Sequence, residues 1–144
     1  MSAKTTGTVS YSNSLLKYVL NNTAYTDLTG TDSLFVALHT ASPGVGGNSS
    51  TNECGYTGYL RAETTRTDSS AWTVSSNTAS PTVSITFPTS SGSPSETASF
   101  FSIGLSQVGG SNKMLVFGPI APPISITSAG ITPVLSSASI YTEI

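Results

Sequence analysis

No apolar run in this chain outlasts a β-strand. The longest, such as Leu34-Phe-Val-Ala-Leu38, are strand-length, and turn-forming residues follow at a spacing of roughly ten. After Gly30 the apolar period changes from 3.6 to 2. Strands are expected at 33–39, 56–65, 71–74, 81–87, 97–107, 113–117 and 124–127, with a last one ending at Ile144. The segment 81–87 alternates cleanly, with Val83, Ile85 and Phe87 on one face and Thr82, Ser84 and Thr86 on the other. Phe101, Ile103 and Leu105 also share a face, and Gly109-Gly110 reads as a hairpin connection. Pro119, Pro122 and Pro123 should interrupt the chain before Ile124. A parallel sheet would need helical crossovers between strands, which this spacing leaves no room for. The expected fold is therefore all-β: an antiparallel β-sandwich or jelly roll of about eight strands.

One short helix is expected, at 13–20. Ser12 or Asn13 can cap it, Asn21-Asn22 can end it, and Leu15, Leu16, Val19 and Leu20 fall on one side. So short a helix is marginal alone, so its stripe should either close the sandwich or pack between subunits. Residues 1–10 are polar and aperiodic and read as a flexible arm. Residues 11–144 then form a single domain, as a length of 144 allows.

Composition narrows the function more than the fold. Ser and Thr supply 49 residues and charged side chains only 12, or 8% of the chain against roughly 25% in ordinary domains. A hydrophobic share of 37% with so little repulsion excludes charge-driven disorder. Five basic residues and a net charge of −2 cannot track a phosphate backbone, so nucleic acid is not an expected partner. No stretch approaches the 18 or so apolar residues of a membrane span, and the N-terminus lacks the apolar core of a signal peptide. Synthesis and retention in the cytoplasm are therefore expected until assembly. Outward-facing Ser and Thr keep strands soluble while leaving their edges unguarded by charge, which suits a subunit of an assembly.

Catalytic constellations are not evident. Cys54 is the only cysteine and reads as a small buried residue in a loop. His39 is the only histidine, placed at a strand end on the side opposite Leu34, Val36 and Leu38, where backbone or solvent would satisfy it. Asp27 and Asp32 flank a turn and suit local amide bonding. Arg61 and Glu63, two apart on a strand, should form a solvent-facing pair. Gly44, Gly46 and Gly47 lack the lysine and helix that a phosphate loop needs. No enzyme, metal site or cofactor is expected. Tyr56, Tyr59 and Trp72 could offer a sugar-stacking platform, but Tyr56 and Tyr59 lie on opposite faces of a strand unless Gly58 carries a bulge.

The order of words along the chain carries a resemblance. Thr23-Ala-Tyr-Thr26 is followed by Leu34-Phe-Val-Ala-Leu-His-Thr-Ala-Ser-Pro-Gly44 and by Asn52-Glu-Cys-Gly-Tyr-Thr-Gly-Tyr-Leu-Arg61. Then come Trp72, Ser84-Ile-Thr-Phe-Pro88, Phe101-Ser-Ile-Gly104 and Gly109-Gly-Ser-Asn-Lys-Met-Leu-Val-Phe-Gly118. Over about residues 13–135 this resembles a family of small virion structural proteins of tailed bacteriophages. Its members include capsid decoration (cement) proteins and head- or tail-fibre-associated proteins. Two departures stand out: Pro94–Glu96 where the family often carries tryptophan-glycine, and Cys54 in place of a usual valine.

The resemblance implies a non-enzymatic virion component on the capsid exterior. The first expectation is a homotrimeric cement protein that binds the major capsid protein and bridges neighbouring subunits. Its contacts would come from the arm (Ser2, Lys4, Thr6 and Thr8), the helix (Leu15, Leu16 and Val19) and Tyr56 and Tyr59. The alternative is a tail- or head-fibre or baseplate component that recognises host-surface glycans through Tyr56, Tyr59 and the loop 40–55.

Overall fold

A computed structural model describes residues 3, 4, 6–26, 28, 33–66, 71–107, 113–137, 141 and 142. The hairpin expected at Gly109-Gly110 and the turn residues Asp27 and Asp32 lie outside them, as does Ser2. In chain order the elements are β1 (Ala3–Lys4), β2 (Thr6–Gly7), α1 (Val9–Asn21), β3 (Leu34–His39), β4 (Ala62–Thr64) and β5 (Trp72–Ser75). They continue with β6 (Thr78–Pro81), β7 (Ile85–Thr86), β8 (Glu96–Gly104), β9 (Met114–Ile126), β10 (Val134–Leu135) and β11 (Tyr141–Thr142). The chain builds the expected all-β sandwich with one short helix. A five-stranded antiparallel sheet runs β2-β9-β8-β3-β4, a four-stranded sheet runs β1-β11-β6-β5, and β10 pairs with β7. Among the described strands, only β1 and β11 are parallel to each other.

Register explains which residues the five-stranded sheet buries. Val36 stands opposite Ile103, which stands opposite Val116, and Leu38 stands opposite Phe101. Residues directly opposite share a face, so these five form one apolar face. Ile85, Phe87, Leu135 and Tyr56 are among the residues that join them in the core. The other face carries Ala37, His39, Ser102 and Phe117 and is buried as well. There the long loop after β3 closes over the sheet: Thr51 bonds His39, and Gly104 lies against Ser49. A Cβ on Gly104 would sit 2.5 Å from Ser49 Oγ and 2.7 Å from the Lys113 carbonyl oxygen, so a side chain there would displace the backbone before β9 as well as Ser49 of the loop.

Several boundaries differ from the sequence reading, each for a local reason. The segment expected as a flexible arm is paired instead: β1 lies along β11, and β2 lies along β9 with Gly7 opposite Val116. The helix starts four residues early because Thr8 caps it. Its hydroxyl accepts from the Tyr11 amide at 3.3 Å and donates to the Met114 carbonyl at 2.8 Å. Asn22, in the left-handed region at φ 52°, ends it. The strand expected over 56–65 shrinks to β4, because a tight turn with Gly58 at φ 97° occupies its first half. The strand expected over 81–87 keeps only β7, because 78–81 is drawn into a hairpin with β5. Val83 is consequently exposed while Ile85 and Phe87 stay buried. The prolines interrupt β9 without ending it: Phe100 pairs with Pro119 and Ala98 with Ile124, and in the bulge between them Ile120 stays in the core while 121–123 are exposed.

Candidate functional site

The densest polar cluster sits where the 40–55 loop folds back on β3. Loop and strand are joined by backbone bonds, Thr40 to Asn52 and Cys54 to Leu38, both 2.8 Å. This return places Glu53 opposite His39 in an isolated bridge. Arg61 enters from the far side of the tyrosine turn and meets Glu53 bidentately, Nε to Oε1 at 2.6 Å and Nη2 to Oε2 at 2.7 Å. Its remaining donors reach the Ser106 carbonyl at 2.8 Å and Ser50 Oγ at 3.1 Å. Tyr59 donates to Glu53 Oε1 at 3.0 Å while its oxygen accepts from the Leu38 amide.

His39 completes the cluster. Its Nδ1 bonds the Thr51 carbonyl at 2.8 Å, and a carbonyl can only accept, so Nδ1 carries the proton. Nε2, 2.7 Å from Ser102 Oγ, is then the acceptor. Burial pushes the His39 pKa below its ordinary value, and the nearby Arg61 charge adds to this against the Thr51 and Glu53 contributions. The Tyr59 hydroxyl is pushed well up, chiefly by burial and then by Glu53. Arg61 is held more firmly protonated by its bonds to Glu53.

Every one of these groups is spent on another protein group, so the cluster clamps a loop and leaves no free nucleophile or base. Arg61 pairs with Glu53 rather than with Glu63, because the turn before β4 ends the strand alternation on which a 61/63 pairing depends. Glu63 stays exposed and accepts from the Ser33 hydroxyl. Cys54 is buried, and its thiol is pushed up to about 12 by burial, with Glu96 and Glu53 adding to it. Among the described residues, no three of His, Cys, Asp and Glu gather in a way that could hold a metal.

The expected contact residues separate into two groups. Tyr56 is 1% exposed and donates to the Pro88 carbonyl at 2.8 Å, which removes it from any contact surface. Tyr59 is half-buried and its ring stacks on Phe87, with centroids 6.5 Å apart. The Gly58 turn puts both tyrosines on the same side, edge to face at 5.3 Å, so they form core and not a sugar platform. Thr8 is also buried, as cap and β9 partner. Lys4 and Thr6 lie in β1 and β2. Leu15, Leu16 and Val19, by contrast, are all exposed.

An anchor that sequence reasoning missed is Glu96. Its carboxylate accepts from the Gly55 amide (2.9 and 3.1 Å) and the Tyr56 amide (2.9 Å), fixing the tyrosine turn from 40 residues away. No local pattern announces such a contact. One open concavity is a groove of about 680 Å³ between β4 and the 81–88 segment, with Glu63, Thr64, Ser84, Thr86 and Gln107 among its polar lining and Leu60, Val83 and Phe87 among its apolar lining.

The comparison with known families settles what kind of chain this is. A family model described as "Podophage GP4 fiber I protein gp80" matches residues 7–141. The chain belongs to that family. Membership in the gp80 fibre family makes it a phage virion structural protein, as the order of its sequence words implies. Comparison with curated proteins returned no match. The gp80-family match runs from β2 into β11, so it takes in the loop clamp, the tyrosine turn and the whole of α1. No helix among the described residues is long and apolar enough to cross a membrane.

Proposed function

We propose that this chain is a non-catalytic building block of a phage fibre, and that the fibre reading replaces capsid cement as the first choice. The observation that carries it is the match of 7–141 to a family named for a fibre protein. The composition supports an assembly role: charged side chains are few, and Thr73, Ser75, Thr86, Thr97 and Ser125 are among the outward-facing strand residues. A fibre subunit needs a rigid body that survives outside the cell, and the paired N-terminus and clamped loop supply stiffness without a disulfide.

In this reading the partners are copies of the chain and the virion protein that anchors the fibre. Contact with host-surface glycans would fall in the groove beside β4, whose hydroxyls, Gln107 amide and Glu63 carboxylate match the hydrogen-bonding of sugar hydroxyls. The buried tyrosines have no part in it. Electron microscopy of virions labelled with antibody to the chain tests the assignment. Label confined to fibres is expected. Even label over the whole shell would overturn it and restore the cement reading, with the major capsid protein as partner.

A further inference from the structure

Helix α1 is anchored at its start and is exposed from Leu15 onward, its apolar stripe included. At about 100° per residue, Tyr18, Leu15, Val19, Leu16 and Leu20 follow one another around an arc of roughly 200°. Lys17, Asn13 and Asn21 occupy the opposite side. The helix touches its own body through Tyr11 and Ser14, which are half-buried; Tyr11 falls at the Tyr18 end of the arc and Ser14 just beyond it. Beyond that first contact nothing among the described residues covers it: Leu16 is 55% exposed, Val19 66% and Leu20 73%. A surface helix of a monomer does the reverse, turning such a stripe to the core and its polar side to water.

Two features say what covers the stripe. Its width is the first. A single partner helix covers a narrow seam, so a pair would leave about half of this arc in water; full cover needs two neighbours at once. A cyclic assembly supplies two identical neighbours from one kind of surface. Charge is the second feature. Lys17 is the only charged residue of α1, and it lies away from the stripe, so copies can bring their stripes together without opposing like charges. An anionic lipid surface would instead call for a polar side rich in Lys and Arg.

On the reading of the chain as an assembly subunit, we propose that α1 helices from three or more copies pack stripe to stripe around a common axis, each touching two others, and that this bundle joins the subunits. Thr8 fixes the start of the helix to β9 and leaves the rest projecting, which allows the helices to meet beyond the sandwich bodies. Leu15, Leu16 and Val19 are the central contacts.

Light scattering on the purified full chain tests this. The expected mass is three or more times 14.7 kDa, and Leu16→Glu with Val19→Glu should lower it to one chain while the sandwich still melts cooperatively. A wild-type chain of single mass at about 100 µM, or a double variant that keeps the wild-type mass, would overturn the proposal. Disulfide trapping gives an independent reading. Val19→Cys should give covalently linked pairs under mild oxidation and Lys17→Cys should not; equal yields from both count against the bundle. A monomer that binds a capsid protein or vesicles through α1 also overturns it. The fibre assignment is judged separately, by position on the virion, so a multimer spread over the shell sinks only that assignment.

Discussion

Arg61 and Glu53 face each other through two parallel hydrogen bonds of 2.6 and 2.7 Å, although the tyrosine turn lies between them in the chain. Both side chains are largely withdrawn from water, 4% and 16% exposed. Such a pair gives little net stability over an apolar substitute of matched shape, but breaking it leaves one charge buried alone. Its position matters more than its strength: it locks the end of the 40–55 loop to the chain entering β4.

Arg61→Met or Glu53→Gln should each destabilise the fold by about 3–5 kcal/mol, because each strands the other partner. Replacing both with matched apolar residues should cost clearly less than the sum of the single changes. Denaturant melts of the singles and the double variant measure this. Additive losses would mean that the two groups do not act as a pair.

His39 should make the fold sensitive to mild acid. Its pKa is lowered in the folded chain, so the unfolded chain binds the proton first as pH falls. The stability it contributes is complete above the ordinary value of 6.5 and is lost as pH drops from there toward the lowered value. The slope in that window cannot exceed ~1.4 kcal/mol per pH unit for one group. Thermal melts between neutral pH and the onset of carboxylate protonation should show the loss, and His39→Gln should flatten it. An unchanged slope in the variant would assign the titration elsewhere.

Much of the fold was legible because strands with one buried face betray themselves by alternation, as Ile85 and Phe87 do on either side of Thr86. The sheet around β3 and β8 was harder to read. Ser102 and His39 look like solvent-side residues in sequence, yet both are fully buried, because a loop without periodicity covers that face. The tyrosine turn misleads for a related reason: Gly58 reverses the direction in which Tyr59 points, and no two-residue count survives a turn. The helix stripe was plain in the sequence, but its exposure is a tertiary fact, since Thr8 and Tyr11 anchor only the start of the helix.

Glu96 should be the most sensitive residue of the Pro94–Glu96 departure from the family's words. Glu96→Ala removes the acceptor from two backbone amides, Gly55 and Tyr56, and should cost about 1–3 kcal/mol. Glu96→Gln keeps one acceptor oxygen and should cost less. Amide hydrogen exchange at Gly55 and Tyr56 offers a local readout, with faster exchange expected in the alanine variant. Unaltered exchange at both amides would show that the carboxylate is not their partner.

Cys54 should behave as an inert thiol until the sandwich opens. It is 3% exposed, its amide is tied to the Leu38 carbonyl, and its pKa is pushed up to about 12. At pH 8 the thiolate is therefore scarce and the sulfur is sterically covered. Alkylation of the native chain should proceed at the rate of its opening, and addition of denaturant should raise that rate steeply. The dependence separates the two causes of protection. If raising the pH to 9 sped labelling tenfold per unit with no change in unfolding, the thiol would be accessible in the native state and only its ionisation limiting. If labelling followed the denaturant melt instead, packing against the core would be the controlling factor, and cysteines introduced on α1 could be read without interference from this one.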